Sequence, residues 1–492
     1  MTFHLVPRVA ALLTVLTGSA VVLAGCAVGP DYHDAPPVAQ AALSAPAYAR
    51  APATAGVVPQ AAPSDWWRQL NDATLTALIE AALAQSPDVH AAEARLRQAR
   101  AQLGQQRAAL TPSLTADVAA PRLRSPNVGS LLGGSSQQSG ESQQSGGQGP
   151  LQLYSTSFDA SWELDLFGGV RRATESAAAQ AEAVSADLAD VQVSLAAEVG
   201  QAYIGLRDEQ QRLRLAQQSA EVQQKMLDLT RRRRAAGTAA DLDVERLTSQ
   251  VEGTRASLLP LDAQIVESLD RLAVLTGKAP GDLDAQLSPA GDLPVMPASV
   301  PVGDPGALLK QRPDIRAAER RLAASYAQIG AKTADLFPKV TLMGVLGFTS
   351  TSFGDVLSKD SFTWMGIPFL QWNFLSFGRT RQAIVQAEAE RDEADARYQQ
   401  TVLSALQDAN DALSRYGHQR EHVLRLQQVQ VSAGRAAQLT RQRYAAGASS
   451  LIDLLDAQRV EYSAQQDVVA GQASLLQDYV SLQKSLGLGW RT

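Results

Sequence analysis

The chain has one cysteine in 492 residues. An intramolecular disulfide is therefore excluded, and the lone thiol, Cys26, needs another explanation. Aromatic residues make up only 5% of the chain, while alanine and glutamine are abundant. That composition suits long helices with close neighbours better than a compact enzyme core. Catalytic and phosphate-binding motifs are lacking. His418 and His422 stand four apart, as a metal-binding pair on one helix face would, but no second pair of ligands accompanies them. A net charge of −6 argues against a nucleic-acid binder. After residue 26 no apolar run reaches the roughly 20 residues of a spanning helix. Any membrane crossing by the rest of the chain must use strands. Proline is missing between Pro150 and Pro260 and again after Pro368, which leaves room for very long helices.

The N-terminus does carry a short apolar run. In "MTFHLVPRVAALLTVLTGSAVVLAGCAVGPDY", Arg8 gives a weakly positive start, Leu12 to Leu23 are apolar, and the small residues Ala24 and Gly25 precede Cys26. This is the pattern of an export signal. The stretch Leu23-Ala24-Gly25-Cys26 also resembles the bacterial lipoprotein box, in which the thiol is lipidated and becomes the first mature residue. The alternative is an ordinary signal peptide with an incidental cysteine. Ala27 rather than Asp follows Cys26, which in lipoproteins of this kind implies sorting to the outer membrane.

The rest of the chain is written twice. "SPDVHAAEARLRQARAQLGQQRAALTPSL" (86–114) aligns with "RPDIRAAERRLAASYAQIGAKTADLFPKV" (312–340) at a constant separation of 226 residues. Pro87 meets Pro313, Gly104 meets Gly330 and Pro112 meets Pro338. From Trp162 and Trp372 onward the separation is 210, and it holds through Gly237 and Gly447 to Gly277 and Gly487. The first copy therefore carries 16 extra residues between Pro112 and Trp162. They fall where "SPNVGSLLGGSSQQSGESQQSGGQGP" reads as a flexible loop tip, residues 125–150. Each copy is read as helix, strand, loop, strand, long helix, turn, helix.

The strands flank the loops. Phe158, Ala160, Trp162, Leu164 and Leu166 alternate with Asp159, Ser161, Glu163 and Asp165, the period-two pattern of a sheet with one apolar face. In the second copy the strands are expected within 339–350 and 361–378. Four strands cannot close a membrane barrel, which starts at about eight in single bacterial chains. Either they form an open soluble sheet or several chains share one barrel. From Arg171 to Ala236 the pattern is helical, and roughly 65 residues at about 1.5 Å each span on the order of 100 Å. Val184, Leu188, Val191, Leu195, Val199, Ala202 and Leu206 mark a seam with a spacing of about 3.67, that of a nearly straight helix. Such a seam suits a helix packed beside others around a wet interior, or a long coiled coil.

"CAVGPDY", "DWWRQLNDATLTALIEAAL" (65–83), "KQRPDIRAAERRL" (310–322), "FPKVTL" (337–342) and "RYAAG…LLDAQR" (443–459), in this order and on a duplicated frame, resemble the TolC-type outer membrane factors. The similarity is to their lipoprotein efflux branch, OprM-like and NodT-type, and it covers essentially the whole mature chain. It implies a mainly α fold with a small membrane β region. The family is a homotrimer in which a shared 12-stranded β-barrel joins a periplasmic α-helical barrel. The resemblance divides the chain into a signal peptide (1–25), a lipidated Pro/Ala-rich linker (26–63), a first repeat (64–277), an equatorial linker (278–306), and a second repeat with the C-terminal tail (307–492). Implied partners are two further copies, a periplasmic adaptor protein, an inner-membrane pump of the RND type and outer membrane lipid, with no nucleic acid. No cofactor is implied beyond the covalent lipid on Cys26, and no enzyme activity.

The two glycine turns, "RRRRAAGTAADLDVERLTS" (231–249) and "RQRYAAGASSLIDLLDAQR" (441–459), then lie at the periplasmic tip. By residue-by-residue resemblance the gate positions are Ile452, Asp456 and Arg459, with Arg443 and Tyr444 on the partner helix. Three Asp456 carboxylates on one axis repel unless Arg or a cation compensates them. The competing reading makes Asp453 and Asp456 helix-terminal residues facing the macrodipole, as Asp241 and Asp243 are expected to be. Asp456 aligns with Arg246 and Arg459 with Ser249, so one aspartate ring per trimer is expected. Arg231 to Arg234 are read as favouring a helix C-terminus or touching the adaptor. The function so implied is small-molecule efflux. The alternatives are a conduit for a type I protein secretion system, on the same fold, and a structural periplasmic tether, which would not need strands with a lipid-facing side.

Overall fold

Helices of equal length recur in the two halves of the chain. In a computed structural model describing residues 27–51, 56–123 and 151–490, α1 (Ala73–Gln85) and α2 (Pro87–Ala108) lead to strands β1 (Ser113–Ala119) and β2 (Tyr154–Leu164). The long helix α3 (Gly169–Ala235) follows, then α4 (Asp241–Ala256) and α5 (Leu258–Leu275). The second half gives α6 (Pro313–Ala334), β3 (Lys339–Ser350), β4 (Phe362–Gln371), α7 (Arg379–Ala445) and α8 (Leu451–Ser485). Both α2 and α6 have 22 residues, and both α3 and α7 have 67. The signal peptide, Cys26 and the 125–150 loop lie outside the described residues.

The copies differ after the turn. Helix α8 runs unbroken for 35 residues, whereas the first copy is divided at Ser257. Pro260 has no N–H for the carbonyl of Ala256, and its ring would clash there, so the helix stops and restarts.

The chain divides into two compact units. The first comprises Met1–His33, Ala99–Gln180 and Leu322–Glu393. Its strands pair antiparallel in the order β1-β2-β3-β4, and a two-residue pair, Arg122–Leu123 with Leu151–Gln152, extends the first hairpin. Register puts Ala116, Phe158, Leu346 and Trp364 in one row and Trp162, Leu342 and Pro368 in another. This face is apolar and open, with Val118 85% and Trp364 75% exposed. The other face carries Thr115, Asp117, Ser157, Asp159, Ser161 and Glu163 on β1 and β2. Among the described residues strands β1 and β4 each have one neighbour, so each keeps a row of backbone N–H and C=O groups free of those residues.

The strands are shorter than their sequence pattern. Leu166 falls outside β2 because Asp165 turns the chain: its carboxylate accepts from the amides of Val170 and Arg171 at 3.1 and 2.8 Å, capping α3. Strand β4 ends at Gln371 rather than near 378, and Phe377 and Gly378, at φ 48 and 85, bend the chain into α7. The aligned tryptophans do the same work in each copy. Trp162 Nε1 donates to the Leu110 carbonyl and Trp372 Nε1 to that of Leu336, both at 3.0 Å. The segment after Cys26 belongs to this unit. Val28 N–H donates to the Phe167 carbonyl at 3.1 Å, and the buried Arg172 pairs with Asp31 and, at 2.8 Å, with Glu175. Hydrogen bonding to that guanidinium holds the Asp31 carboxyl below the usual range.

The second unit comprises Asp34–Gln98, Ala181–Arg321 and Ala394–Thr492. Trp66 and Trp67 are buried, ring centroids 5.6 Å apart, and Trp66 meets Tyr479 edge-on at 6.0 Å. The pair of tryptophans is thus core, with the Tyr479 hydroxyl donating to the Trp66 carbonyl at 3.2 Å. Asp72 caps α1 through the Leu75 amide at 2.9 Å and accepts from the Tyr203 hydroxyl at 2.8 Å. The proline-rich linker is fastened to α3 by Arg207, which donates to the Pro289 carbonyl at 3.0 Å, and by Gln210, to that of Leu287 at 2.8 Å. The expected seam on α3 is only partly covered within one chain. Val184, Leu188 and Val191 are only half-buried, and alanines 181, 183, 186 and 189 take the buried positions, because small side chains let packed backbones come closer than branched ones do.

Arg312, within the "QRPDI" stretch, joins three pieces of this unit. Its guanidinium pairs with Asp314 at 2.6 Å and Asp408 at 3.3 Å and donates to the Ser485 carbonyl, at the C-terminal end of α8, at 2.8 Å. Removing Arg312 takes a donor from the Ser485 carbonyl and a cation from two partly exposed carboxylates. Arg312→Ala is therefore expected to lower stability by about 1–2 kcal/mol, read as a lower thermal midpoint of the purified protein. Asp408 is 55% exposed, so Asp408→Ala is expected to move that midpoint little.

Candidate functional site

The two glycine turns are built alike. Gly237 and Gly447 sit at φ 74 and 72, where a Cβ would be strained. At the first turn the amide of Thr238 donates to the Arg233 carbonyl and that of Gly237 to Arg234, both at 2.9 Å. At the second, Ala448 donates to Arg443 at 2.8 Å and Gly447 to Tyr444 at 3.0 Å. These are paired Schellman ends of the long helices α3 and α7. The aligned Ala-Ala-Gly triplets are therefore two copies of one C-cap.

Beyond the glycines the copies diverge. Ser450 and Asp453 form a capping box: the Asp453 amide donates to Ser450 Oγ at 3.1 Å, and the Ser450 amide donates to Asp453 Oδ2 at 3.0 Å. Bonds from Ser450, with Ser449 adding to them, hold the Asp453 carboxyl below its ordinary value of 3.8. Its contribution is full above pH 3.8 and is lost as pH falls through the depressed folded value. In the first copy Ala240 stands in Ser450's place and offers no side-chain cap. There Asp241 pairs across the turn with Arg234. The helix-terminus reading thus holds for Asp453 and Asp241.

Asp456 belongs to a different group. Its Oδ1 accepts from Arg459 Nη2 at 2.7 Å on the same helix, and the two side chains are 62% and 74% exposed. Ile452, at 52% exposure, lies one turn before it. The spacing i, i+4, i+7 puts Ile452, Asp456 and Arg459 on one open face of α8. The aligned Arg246 is also exposed.

The two partner-helix residues serve the turn rather than Asp456. Arg443 donates to the Ala448 carbonyl at 3.3 Å and acts electrostatically on Asp453. Tyr444 packs on the apolar cluster of Leu227, Leu247, Val251, Leu451 and Leu454, which binds the hairpins of both copies together. Its hydroxyl accepts from Arg233 Nη1 at 3.2 Å, with that guanidinium 5.9 Å from the ring centroid. Arg233 is the residue that reading the arginine run as a block missed. The signal was its 210-residue alignment with Arg443, which puts it beside Tyr444. His418 and His422 are both exposed, and among the described residues no three metal-ligating side chains gather. No described helix is long and apolar enough to cross a membrane.

Duplicated helical hairpins on one small sheet define the fold of a TolC-type outer membrane factor. A family model described as outer membrane efflux protein matches residues 78–278 and 305–488, and the chain belongs to that family. The antibiotic efflux pump outer membrane protein ArpC of Pseudomonas putida is 33% identical over 481 residues, 96% of this chain and 95% of its own length. Outer membrane protein OprJ of Pseudomonas aeruginosa is 31% identical over 98% of this chain and 96% of its own. Among solved structures, the outer-membrane channel OprN superposes with a TM-score of 0.83 at 36% identity, over 94% of this chain and 100% of that one. The open state of the Neisseria gonorrhoeae MtrE channel, at 24% identity and a TM-score of 0.78 over 94% and 98% of the two chains, shares the fold.

The Arg233–Tyr444 contact is expected to couple the two hairpins by about 0.5–1 kcal/mol. A double-mutant cycle of Arg233→Ala and Tyr444→Leu, read by hydrogen exchange of amides 227–233 and 451–455, checks it. Additive effects would place the coupling in the apolar cluster alone.

Proposed function

We propose that this chain is the outer membrane conduit of a tripartite efflux pump, carrying small toxic molecules through a lipid-anchored homotrimer. The observation that carries this reading is the sheet with two free edges and an open apolar face. In lipid every backbone polar group needs a partner, so open edges have no place there. Three copies edge to edge supply twelve strands, an even number within the range of bacterial barrels, with Val118, Phe158 and Trp364 toward the lipid. The half-buried Val184, Leu188 and Val191 on α3 then face neighbouring copies in a ring of twelve helical staves.

Lipidation of Cys26 fits the same arrangement. Ala27, the next residue, lies against Gly168, just before α3, where an added Cβ would clash with it. The anchor would then enter the membrane beside the barrel. A periplasmic adaptor meets the tip, with the exposed Arg231 and Arg232 among the surfaces open to it, and an RND-type inner-membrane pump supplies the energy.

Ile452 and Asp456 form the gate. With three Asp456 near one axis, each Arg459 compensates its own carboxylate, so the ring repels less than bare charges would. The pair lies within one helix and is kept when neighbouring copies move apart, so it adds little to the cost of opening. Arg459→Ala is expected to raise single-channel conductance severalfold, and Asp456→Asn to lower the preference for cations over anions. Both are read in planar bilayers, where a periplasmic tether would conduct nothing.

The cargo is tested in cells. Deleting the chain is expected to raise accumulation of antibiotics, dyes or aromatic acids from a panel while the secreted proteins stay unchanged. Loss of a secreted protein with accumulation unchanged would move the chain to the protein-secretion class.

A further inference from the structure

One strand is apolar on both faces. On β4, Phe362, Trp364, Pro368 and Leu370 share the face assigned to lipid, yet the opposite side carries Met365, Ile367 and Phe369, which are 52%, 44% and 51% exposed. Met343 on β3, 50% exposed, joins them. Apolar surface left in water costs about 25 cal/mol per Å², and these side chains cannot serve the lipid, because they stand in the same rows as the acids of β2. Register sets Asp159 beside Val345 and Met365, Ser161 beside Met343 and Ile367, and Glu163 beside Thr341 and Phe369. In each row the carboxylate or hydroxyl column stands two strand spacings, about 10 Å, from the β4 column. Among the described residues no group donates to one buried oxygen of Asp159, so they leave its carboxylate without a compensating partner there.

We propose that this face binds amphiphilic organic cations in transit, with the apolar body on Met343, Met365, Ile367 and Phe369 and the positive group on Asp159, Glu163 standing two rows away. Charge decides for a cation over an anion. The columns stand about 10 Å apart, a gap that one cation carrying several rings can span. Methionine side chains adapt to many shapes, so the class of cargo is set by charge and apolar character rather than by outline. The inference rests on the proposed conduit, whose water-filled interior this face would line.

The probe is the tetraphenylphosphonium ion, added to the full-length protein reconstituted in planar bilayers, with block of the ionic current as the readout. Tetraphenylborate has the same apolar body with the opposite charge, and tetramethylammonium has the charge without the body. Tetraphenylphosphonium is expected to block at a concentration at least about tenfold below either control. Asp159→Asn, and separately Met365→Ser combined with Phe369→Ser, are expected to raise its half-blocking concentration about tenfold. Unblocked conductance reports that each variant has assembled, and the single changes Met365→Ser and Phe369→Ser stand in if the pair does not conduct. Equal block by tetraphenylborate overturns the role given to Asp159. Conducting variants with unchanged block overturn the site and imply that the assembled channel covers this face with its own chain. If the unmodified protein conducts nothing and its deletion alters no accumulation, the conduit reading falls, and the site with it.

Discussion

The free edges of the small sheet govern the rest of the molecule. Among the described residues strands β1 and β4 each leave a row of amides and carbonyls without partners. In water such edges invite association, and in lipid they are forbidden. A chain with four strands therefore cannot place them in a membrane alone. Its long helices follow from the same condition. If several copies must meet to close the strands, the helices that continue from those strands must also lie side by side. Narrow seams and alanine-rich contacts serve that better than one thick core. The 67-residue lengths of α3 and α7 are equal, as two copies of one duplicated element would be.

Much of this was legible in the residues. The two separations, 226 and 210, located the duplicated elements, and the absence of proline marked helices that are continuous. What the residues concealed is local and has physical causes. Strand β2 stops two residues before its alternation does, because Asp165 turns its carboxylate to the amides that begin α3. The buried line at the start of α3 follows alanines rather than the larger aliphatics, since a periodicity count weights side-chain size and close packing rewards its absence. Asp453 and Asp456 look alike in sequence, three apart on one helix. Only hydrogen-bond geometry separates the capping residue from the one left on the open face.

The turns show how a duplicated element divides its labour. Both keep the glycine and its paired amide bonds, which any tight reversal after a helix requires. In the second copy Ser450 and Asp453 close the helix start from within one strand of sequence, and Asp456 and Arg459 remain on an exposed face. In the first copy that start lacks a side-chain cap, and the link runs instead from Arg234 to Asp241 across the turn. Arg233 ties the first hairpin to Tyr444 of the second. The first hairpin thus holds the second in place, and the second keeps Asp456 and Arg459 exposed.

The same asymmetry appears in the sheet, where it bears on what passes along it. Strands β1 and β2, from the first copy, obey the rule for a surface between lipid and water, apolar on one face and polar on the other. Strands β3 and β4, from the second copy, depart from it, with methionine, isoleucine and phenylalanine where the neighbouring strand has aspartate, serine and glutamate. A duplicated strand pair under one requirement would have kept one pattern. Two patterns on one face give a surface with a charged column beside an apolar one, which a cation that also carries rings would meet on both sides. If lipid meets only the face of Phe158 and Trp364, as proposed, the opposite face of β3 and β4 is where the second copy was free to diverge.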